Sequence, residues 1–383
     1  MTIADLLANE ALRRKEFPVT QKKVFLAHAG VCPLPRRVAE RISNYVSEAT
    51  GADQESFVFP KVVEDGRKLA ARLLNCQPAE IAFVGPTSLA LSFVASGLNL
   101  KKGDNVLIYH DDYPSNVYPW MALADKRVEV RLINIRTLGV IHPRDVIGQV
   151  DENTRLVALA SCHFVSGYRI DHNAVGAELR RRNILFCLDA IQTLGAFPTS
   201  VENVDMLAAD SHKWLLGPCG AGILYVRSAL QEKIKPPVYG SNNVRSPDFI
   251  AQEHIVFRSG GKRYEPGSYN MLGLVGLNAA FELALEIGVE NIAAELLRKR
   301  NWLVPALQNK GYEVLNPNPS PANASAIVSF FKQGDDLAAL HKTLASADIV
   351  ASLRADRKGQ RYIRLSPHFY NTDEELKRTL DLL

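Results

Sequence analysis

The sequence predicts an α/β fold in which a mostly parallel sheet lies between helices, followed by a smaller C-terminal α+β unit. Three observations carry this. From 81 to 189, short apolar runs alternate with segments of helical period, the pattern of strands joined by covering helices. The apolar runs 184–188, 204–209 and 223–226 are each bounded by polar or glycine-rich residues, as strands buried on both faces are. Beyond 226 a long segment rich in Pro, Gly, Ser and Asn (235–268) gives way to helices and then to a short strand-and-helix series.

In chain order, residues 1–20 read as a helix closed by a turn at Pro18, and 24–26 as a strand leading into His28, Ala29 and Gly30. Pro35 stands where a helix through 49 begins, because proline fits a first helical turn. A helix at 62–74 carries Val62, Leu69 and Leu73. The strand 81–84 runs into Gly85, Pro86, Thr87 and Ser88 and an apolar helix. Strands follow at 105–109, 128–133 and 156–160, with a helix at 143–150 between the last two. The helix at 171–182 ends on Arg180, Arg181 and Arg182, the charge its C-terminal dipole favours. After the three strands come helices at 271–288 and 291–310, a strand at 326–331, a helix at 335–345, strands at 349–353 and 361–365, and a helix from 372. This divides the chain into a large unit, 20–265, and a smaller one made of 1–19 and 266–383. No internal repeat is present.

Composition excludes several classes. The net charge of +4 (45 basic minus 41 acidic residues) is small and scattered, which argues against a nucleic-acid partner. The charged N-terminus lacks the apolar core of a secretion signal, and no apolar stretch has membrane-spanning length. Five dispersed cysteines without C-x-x-C pairs predict reduced thiols in a cytoplasmic protein, with no disulfide framework or zinc site. Cys162 and Cys187 read as small buried hydrophobes. His110, Asp111 and Asp112 match no common metal-ligand spacing, so a polar strand-end loop is expected there and no metal.

Asp189 and Lys213 close two of the central runs, 24 residues apart. Polar residues at such strand ends line the ligand crevice of open α/β sheets. A carboxylate and an amine facing one pocket suit pyridoxal 5′-phosphate (PLP), which takes a lysine at its aldehyde and an acid at its pyridinium nitrogen. Thr87 and Ser88 open a helix, where two hydroxyls and free N–H groups make either a phosphate cradle or ordinary caps. Tyr113 and Trp120 are candidates for stacking on a planar ring or for packing.

Taken together, Asp189-Ala190-Ile191-Gln192, Ser211-His212-Lys213-Trp214, the glycine-rich turn at 217–222 and Ser366-Pro367-His368-Phe369-Tyr370-Asn371-Thr372 resemble the class V aminotransferases among the fold-type-I PLP-dependent enzymes. The resemblance runs from about Phe25 to the C-terminus and is strongest to the cysteine desulfurase and isopenicillin N epimerase-like branch. It implies that Lys213 binds the cofactor and shuttles the substrate's Cα proton, and that Asp189 pairs with the pyridinium. It also implies that Gln192 reaches the ring's phenolic oxygen and that Tyr113 stacks on the ring. Thr87, Ser88, Ser211 and His212 would hold the phosphate. Gly267-Ser268 would serve the phosphate of a neighbouring subunit, which implies a homodimer with shared active sites. Arg364 would grip the substrate carboxylate, with His28 also placed at the substrate. Arg354 would be a second substrate contact or a surface ion pair.

Two departures from the desulfurase pattern shape the expected reaction. No cysteine occurs in 352–362, where desulfurases carry a nucleophilic one, and Phe164 stands where they have an asparagine. The expectation is therefore an amino-acid enzyme performing β-elimination, C–S lyase-like, without a catalytic cysteine. Transamination and epimerisation are alternatives on the same scaffold. A PLP protein that only binds is the alternative of another class, against which both Lys213 and Asp189 argue.

Overall fold

The computed structural model describes residues 1–383 and arranges them around three sheets. Its thirteen strands are β1 (Val24–Phe25), β2 (Ile81–Phe83), β3 (Asn105–Ile108), β4 (Glu129–Leu132), β5 (Thr154–Ala160), β6 (Leu185–Asp189), β7 (Met206–Asp210), β8 (Gly222–Val226), β9 (Glu313–Val314), β10 (Val328–Phe331), β11 (Ile349–Val350), β12 (Ser352–Ala355) and β13 (Arg361–Leu365). Seven of them form one sheet in the order β2-β8-β7-β6-β5-β3-β4. The ladders from β7 to β4 are parallel, and β8 runs antiparallel between β7 and β2.

Strand side chains alternate between faces, and here both faces are buried. Along β5, Val157 and Leu159 join one apolar cluster with Phe186, Leu188 and Leu207. Leu156 and Ala158 point the other way and join Val106, Cys187, Met206 and Leu224. The helix Thr87–Gly97 covers that second face through Ala90, Leu91 and Val94. Helices Lys61–Leu74, His172–Arg181 and Met271–Ile287 cover the first. Continuous apolar runs fill β6, β7 and β8, which are buried along nearly their whole length, whereas the edge strand β4 is partly exposed. The buried Cys162 and Cys187 are packed as small apolar side chains.

The smaller unit is an antiparallel sheet, β12-β13-β10-β9. It is closed by Leu303 and Leu307 of the helix Val289–Asn309, Leu344 of Leu337–Ser346, and Leu376 of Asp373–Asp381. Thr372 caps the last helix by accepting from the N–H of Glu375, whose carboxylate accepts from the N–H of Thr372. The strand expected at 349–353 is two strands: β11 pairs in parallel with β1, and β12 pairs with β13. The expected unit boundaries also move. β1 belongs with the smaller unit through β11, and Met271–Ile287, placed by sequence with the smaller unit, is buried in the core of the large one.

The loop after β5 joins the two units. Ser325 donates to the carbonyl of Gly167 at 2.7 Å, and Ser329 donates to that of Val165 at 2.6 Å. Gly167 has φ +68°, and a Cβ there would lie 2.4 Å from the carbonyl oxygen of Ile327. Only glycine allows so close an approach. No single helix is long and apolar enough to cross a membrane.

Candidate active site

The C-terminal ends of β3, β5, β6 and β7 open on one side of the sheet, and the side chains that follow them converge there. β6 ends on Asp189, which is buried. Its Oδ1 accepts from the N–H of Ile191 at 3.0 Å, while the other oxygen receives no hydrogen bond from the chain. After β7 comes Lys213, buried with no acid in ion-pair contact; its Nζ lies 5.2 Å from the ring centre of Tyr113. Tyr113 stands in the loop after β3, with its ring edge-on to Phe164 at 5.4 Å.

Burial sets the electrostatics. It pushes the Lys213 amine down to about 8, against the attraction of Asp189; repulsion from Arg364 and Arg354 lowers it further. It raises the Asp189 carboxyl, which the Ile191 N–H and Lys213 offset only in part. Asp112, beside it, is pushed up to about 7 by burial and by the charge of Asp189. Both members of the central pair are thus held away from their favoured charge states while not in contact. A guest with a cationic ring nitrogen at one end and a carbonyl at the other would relieve both.

Two arginines of the smaller unit face the same space. A Cβ on Gly30 would lie 3.9 Å from an Nη2 of both Arg354 and Arg364. Arg364, on β13, is 1% exposed; it donates to the carbonyl of Phe164 at 2.6 Å and to the Ser352 hydroxyl at 3.4 Å, and its Nε has no partner. Arg354, on β12, donates only to the adjacent carbonyl of Leu353. Neither has an acidic partner in the chain, so an anion is the missing complement.

The phosphate side is built at the start of Thr87–Gly97. Thr87 accepts the N–H of Asp210 at 2.9 Å, which leaves its hydroxyl hydrogen free, and the Ser88 hydroxyl has no partner in the chain. His212 Nδ1 lies 2.9 Å from Asp210 Oδ2 but outside hydrogen-bonding geometry, so this nitrogen has no hydrogen-bond partner in the chain. Asp210 accepts from the N–H groups of Ser211 and Gly220. Ser211 departs from expectation. Its hydroxyl donates to the carbonyl of Pro218 at 2.7 Å, so it braces the glycine turn and has no hydrogen left for a phosphate.

His28 is the second correction. Its Nδ1 meets the carbonyl of Ser366 at 2.9 Å, so it carries the hydrogen, and Nε2 accepts from the Tyr370 hydroxyl at 2.7 Å. Burial drives its pKa down to about 3. Both nitrogens of this enclosed ring are taken up within the chain, and it ties the N-terminal strand to the smaller unit. Ser268 is exposed and lines a cleft with Gly85, Gly220 and Asn270, apart from the Lys213 group of its own chain. Sequence reasoning did not find Asp112, which accepts from the N–H of Tyr113 (2.7 Å), the N–H of Ala160 (3.1 Å) and the Asn116 amide (3.0 Å). It also passed over Asp210, although that residue stands in the run before Lys213.

The sequence profile of the class V aminotransferases matches residues 24–379. The chain belongs to the aminotransferase class-V family. A probable cysteine desulfurase of Methanothermobacter thermautotrophicus is 27% identical over 95% of this chain and 94% of its own length. An uncharacterized aminotransferase of Bacillus subtilis is 26% identical over 96% and 95%. Among solved structures, the apo cysteine desulfurase of Thermococcus onnurineus superposes with a TM-score of 0.88 at 22% identity, covering 96% of both chains. The cystine C–S lyase solved with its product cysteine persulfide superposes with a TM-score of 0.86 at 22% identity, covering 95% of this chain and 98% of its own. The class V protein is a PLP-dependent enzyme. Its residues fit that cofactor: an unpaired buried amine, a buried acid with a free oxygen, and a helix start with an unpartnered hydroxyl.

Proposed function

We propose that this enzyme cleaves a Cβ–S bond of a sulfur-containing amino acid and passes no sulfur to a thiol of its own. The hairpin between β12 and β13 carries this reading. Its turn, 356–360, holds no cysteine and is folded on itself: Asp356 accepts from the N–H groups of Lys358 and Gln360. Arg357 at its tip donates to Asp111 at 2.5 Å and to the carbonyl of His110 at 2.8 Å. The chain's cysteines lie elsewhere; Cys32, Cys162 and Cys187 are buried, Cys76 is half-buried and Cys219, in the glycine turn, is exposed, and desolvation raises the pKa of each, which disfavours the reactive thiolate.

In this reading Asp189, Thr87, Ser88 and His212 hold the cofactor, and Tyr113 covers its ring. Bound pyridoxal phosphate supplies an electron sink conjugated to the substrate's Cα. Arg364 fixes the substrate carboxylate, with Arg354 adding charge, and so sets the direction of the Cα–H bond. Lys213 Nζ accepts the Cα proton; an amine near pKa 8 is roughly a tenth neutral at pH 7, a usable base. The electron pair of the Cβ–S bond leaves with sulfur, and water converts the three-carbon remainder to pyruvate and ammonia.

A second copy of the chain completes the proposal. Phe249 (89% exposed), Ile250 (64%) and Ile255 (62%) form an uncovered apolar surface. Phe249 shares a cleft with Ser268. A partner seated there would bring Ser268 to the neighbouring site.

The test is incubation of the holoenzyme with cystine, cysteine, or alanine plus a keto acid. Equal yields of pyruvate and ammonia from the sulfur amino acids, without keto acid, are expected. Amino-group transfer or inversion at Cα without pyruvate would overturn elimination.

A further inference from the structure

Lys213 is followed by Trp214. Trp214 is buried, and its indole N–H donates to Oε1 of Gln192 at 2.8 Å. The other end of the same amide, Nε2, donates to the carbonyl of Ala29 at 3.2 Å. These two contacts are independent and agree. An indole nitrogen can only donate, so it must face an amide oxygen; a backbone carbonyl can only accept, so it must face an amide NH2. Turned over, Gln192 would set donor against donor and acceptor against acceptor. One hydrogen on Nε2 is left without a partner in the chain.

Trp214 is itself fixed from the smaller unit. His368 accepts the N–H of Phe369 on Nδ1 at 2.9 Å, so its hydrogen sits on Nε2, which donates to the carbonyl of Trp214 at 2.9 Å. Its ring lies 5.6 Å from the indole. The Ser366–Asn371 run therefore reaches Gln192 through Trp214.

We propose that Trp214 is a positioning residue whose indole N–H locks the Gln192 amide with its NH2 end presented to the ring oxygen of the cofactor. The inference rests on the reading of Gln192 as the donor to that oxygen. A donor there stabilises the phenolate and lowers the pH at which the lysine-bound chromophore loses its proton.

The test is the visible-absorption titration of holoenzyme carrying Trp214→Phe, Gln192→Leu, or both. Trp214→Phe should raise the midpoint by about 1 pH unit, a tenfold weakening of the proton release. Gln192→Leu should raise it at least as far, and the double variant no further than Gln192→Leu alone. A midpoint unmoved by Trp214→Phe but raised by Gln192→Leu refutes the positioning role and leaves the Gln192 reading standing. A midpoint unmoved by Gln192→Leu refutes that reading, and the inference with it. If Trp214→Phe does not fold, benzothienylalanine placed at 214 by nonsense suppression keeps the ring and deletes the N–H. The same shift is expected from it, and its absence counts against the role. A purely structural Trp214 would change thermal stability and leave the titration alone.

Discussion

The enzyme should become more stable when Lys213 is replaced by methionine, provided the cofactor is removed first. In the cofactor-free chain the Lys213 amine is pushed from 10.5 to about 8, chiefly by burial. The folded state therefore binds this proton less tightly than the unfolded state. For such a group, stability is fully present above pH 10.5 and is lost as pH falls through 8. Each pH unit between those values is worth about 1.4 kcal/mol, so the penalty at pH 7 is about 3 kcal/mol. At pH 10 it falls below about 1 kcal/mol. Methionine fills nearly the same volume and carries no charge, so Lys213→Met removes the penalty without opening a cavity. The assay is urea unfolding of cofactor-free wild type and variant at pH 7 and pH 10. A gain for the variant at pH 7 that shrinks toward pH 10 is expected. A variant no more stable than wild type at pH 7, or a gain independent of pH, would refute the claim that burial strains this amine.

Arg364→Ala should keep the cofactor, read by its visible absorbance, but lower kcat/KM for amino acids by about 10²–10⁴-fold, the loss of two charge-assisted bonds to a carboxylate. Arg354→Ala should lower it by about tenfold or less, and an equal effect of the two would contradict the assignment of Arg364 as the main grip. His28 and His163 are held neutral, with pKa values driven to about 3 and about 4 by burial, and burial likewise drives His368 well below its ordinary value. Because the unfolded chain protonates these rings near pH 6.5, stability should fall as pH drops below that, by up to about 4 kcal/mol per pH unit for the three together. Unfolding free energies flat between pH 6.5 and 5 would contradict the neutral assignment. Gly167→Ala should destabilise the fold by about 2 kcal/mol or more, since its Cβ meets the Ile327 carbonyl in a left-handed conformation; a thermal melt identical to wild type would reject that close approach.

The parts of the site that were legible in the sequence are those set by position along a strand. Asp189 and Lys213 follow buried runs, so their side chains fall at the crevice whatever the rest of the chain does. The parts that were not legible depend on partners far away in sequence. His28 was lost to the substrate by Ser366 and Tyr370, more than 330 residues on. Ser211 was lost to Pro218 because the glycine turn folds back on it. The direction of β8 was hidden as well, since an apolar run looks the same in a parallel or an antiparallel ladder. The helix Met271–Ile287, apolar on nearly every side, signalled complete burial but not in which unit.

The contact from Arg357 to Asp111 and His110 links the smaller unit to the loop that carries Tyr113. It is an exposed clasp, with the arginine 56% and the aspartate 33% accessible. Pairs of that kind are worth about 0–1 kcal/mol and are screened within about 8 Å at physiological ionic strength. The two units therefore share a fastening there that thermal motion undoes readily and that dissolved salt loosens further. Hydrogen exchange in the 109–113 loop should quicken with ionic strength, while the acid, the lysine and the indole, sealed from water, keep their geometry.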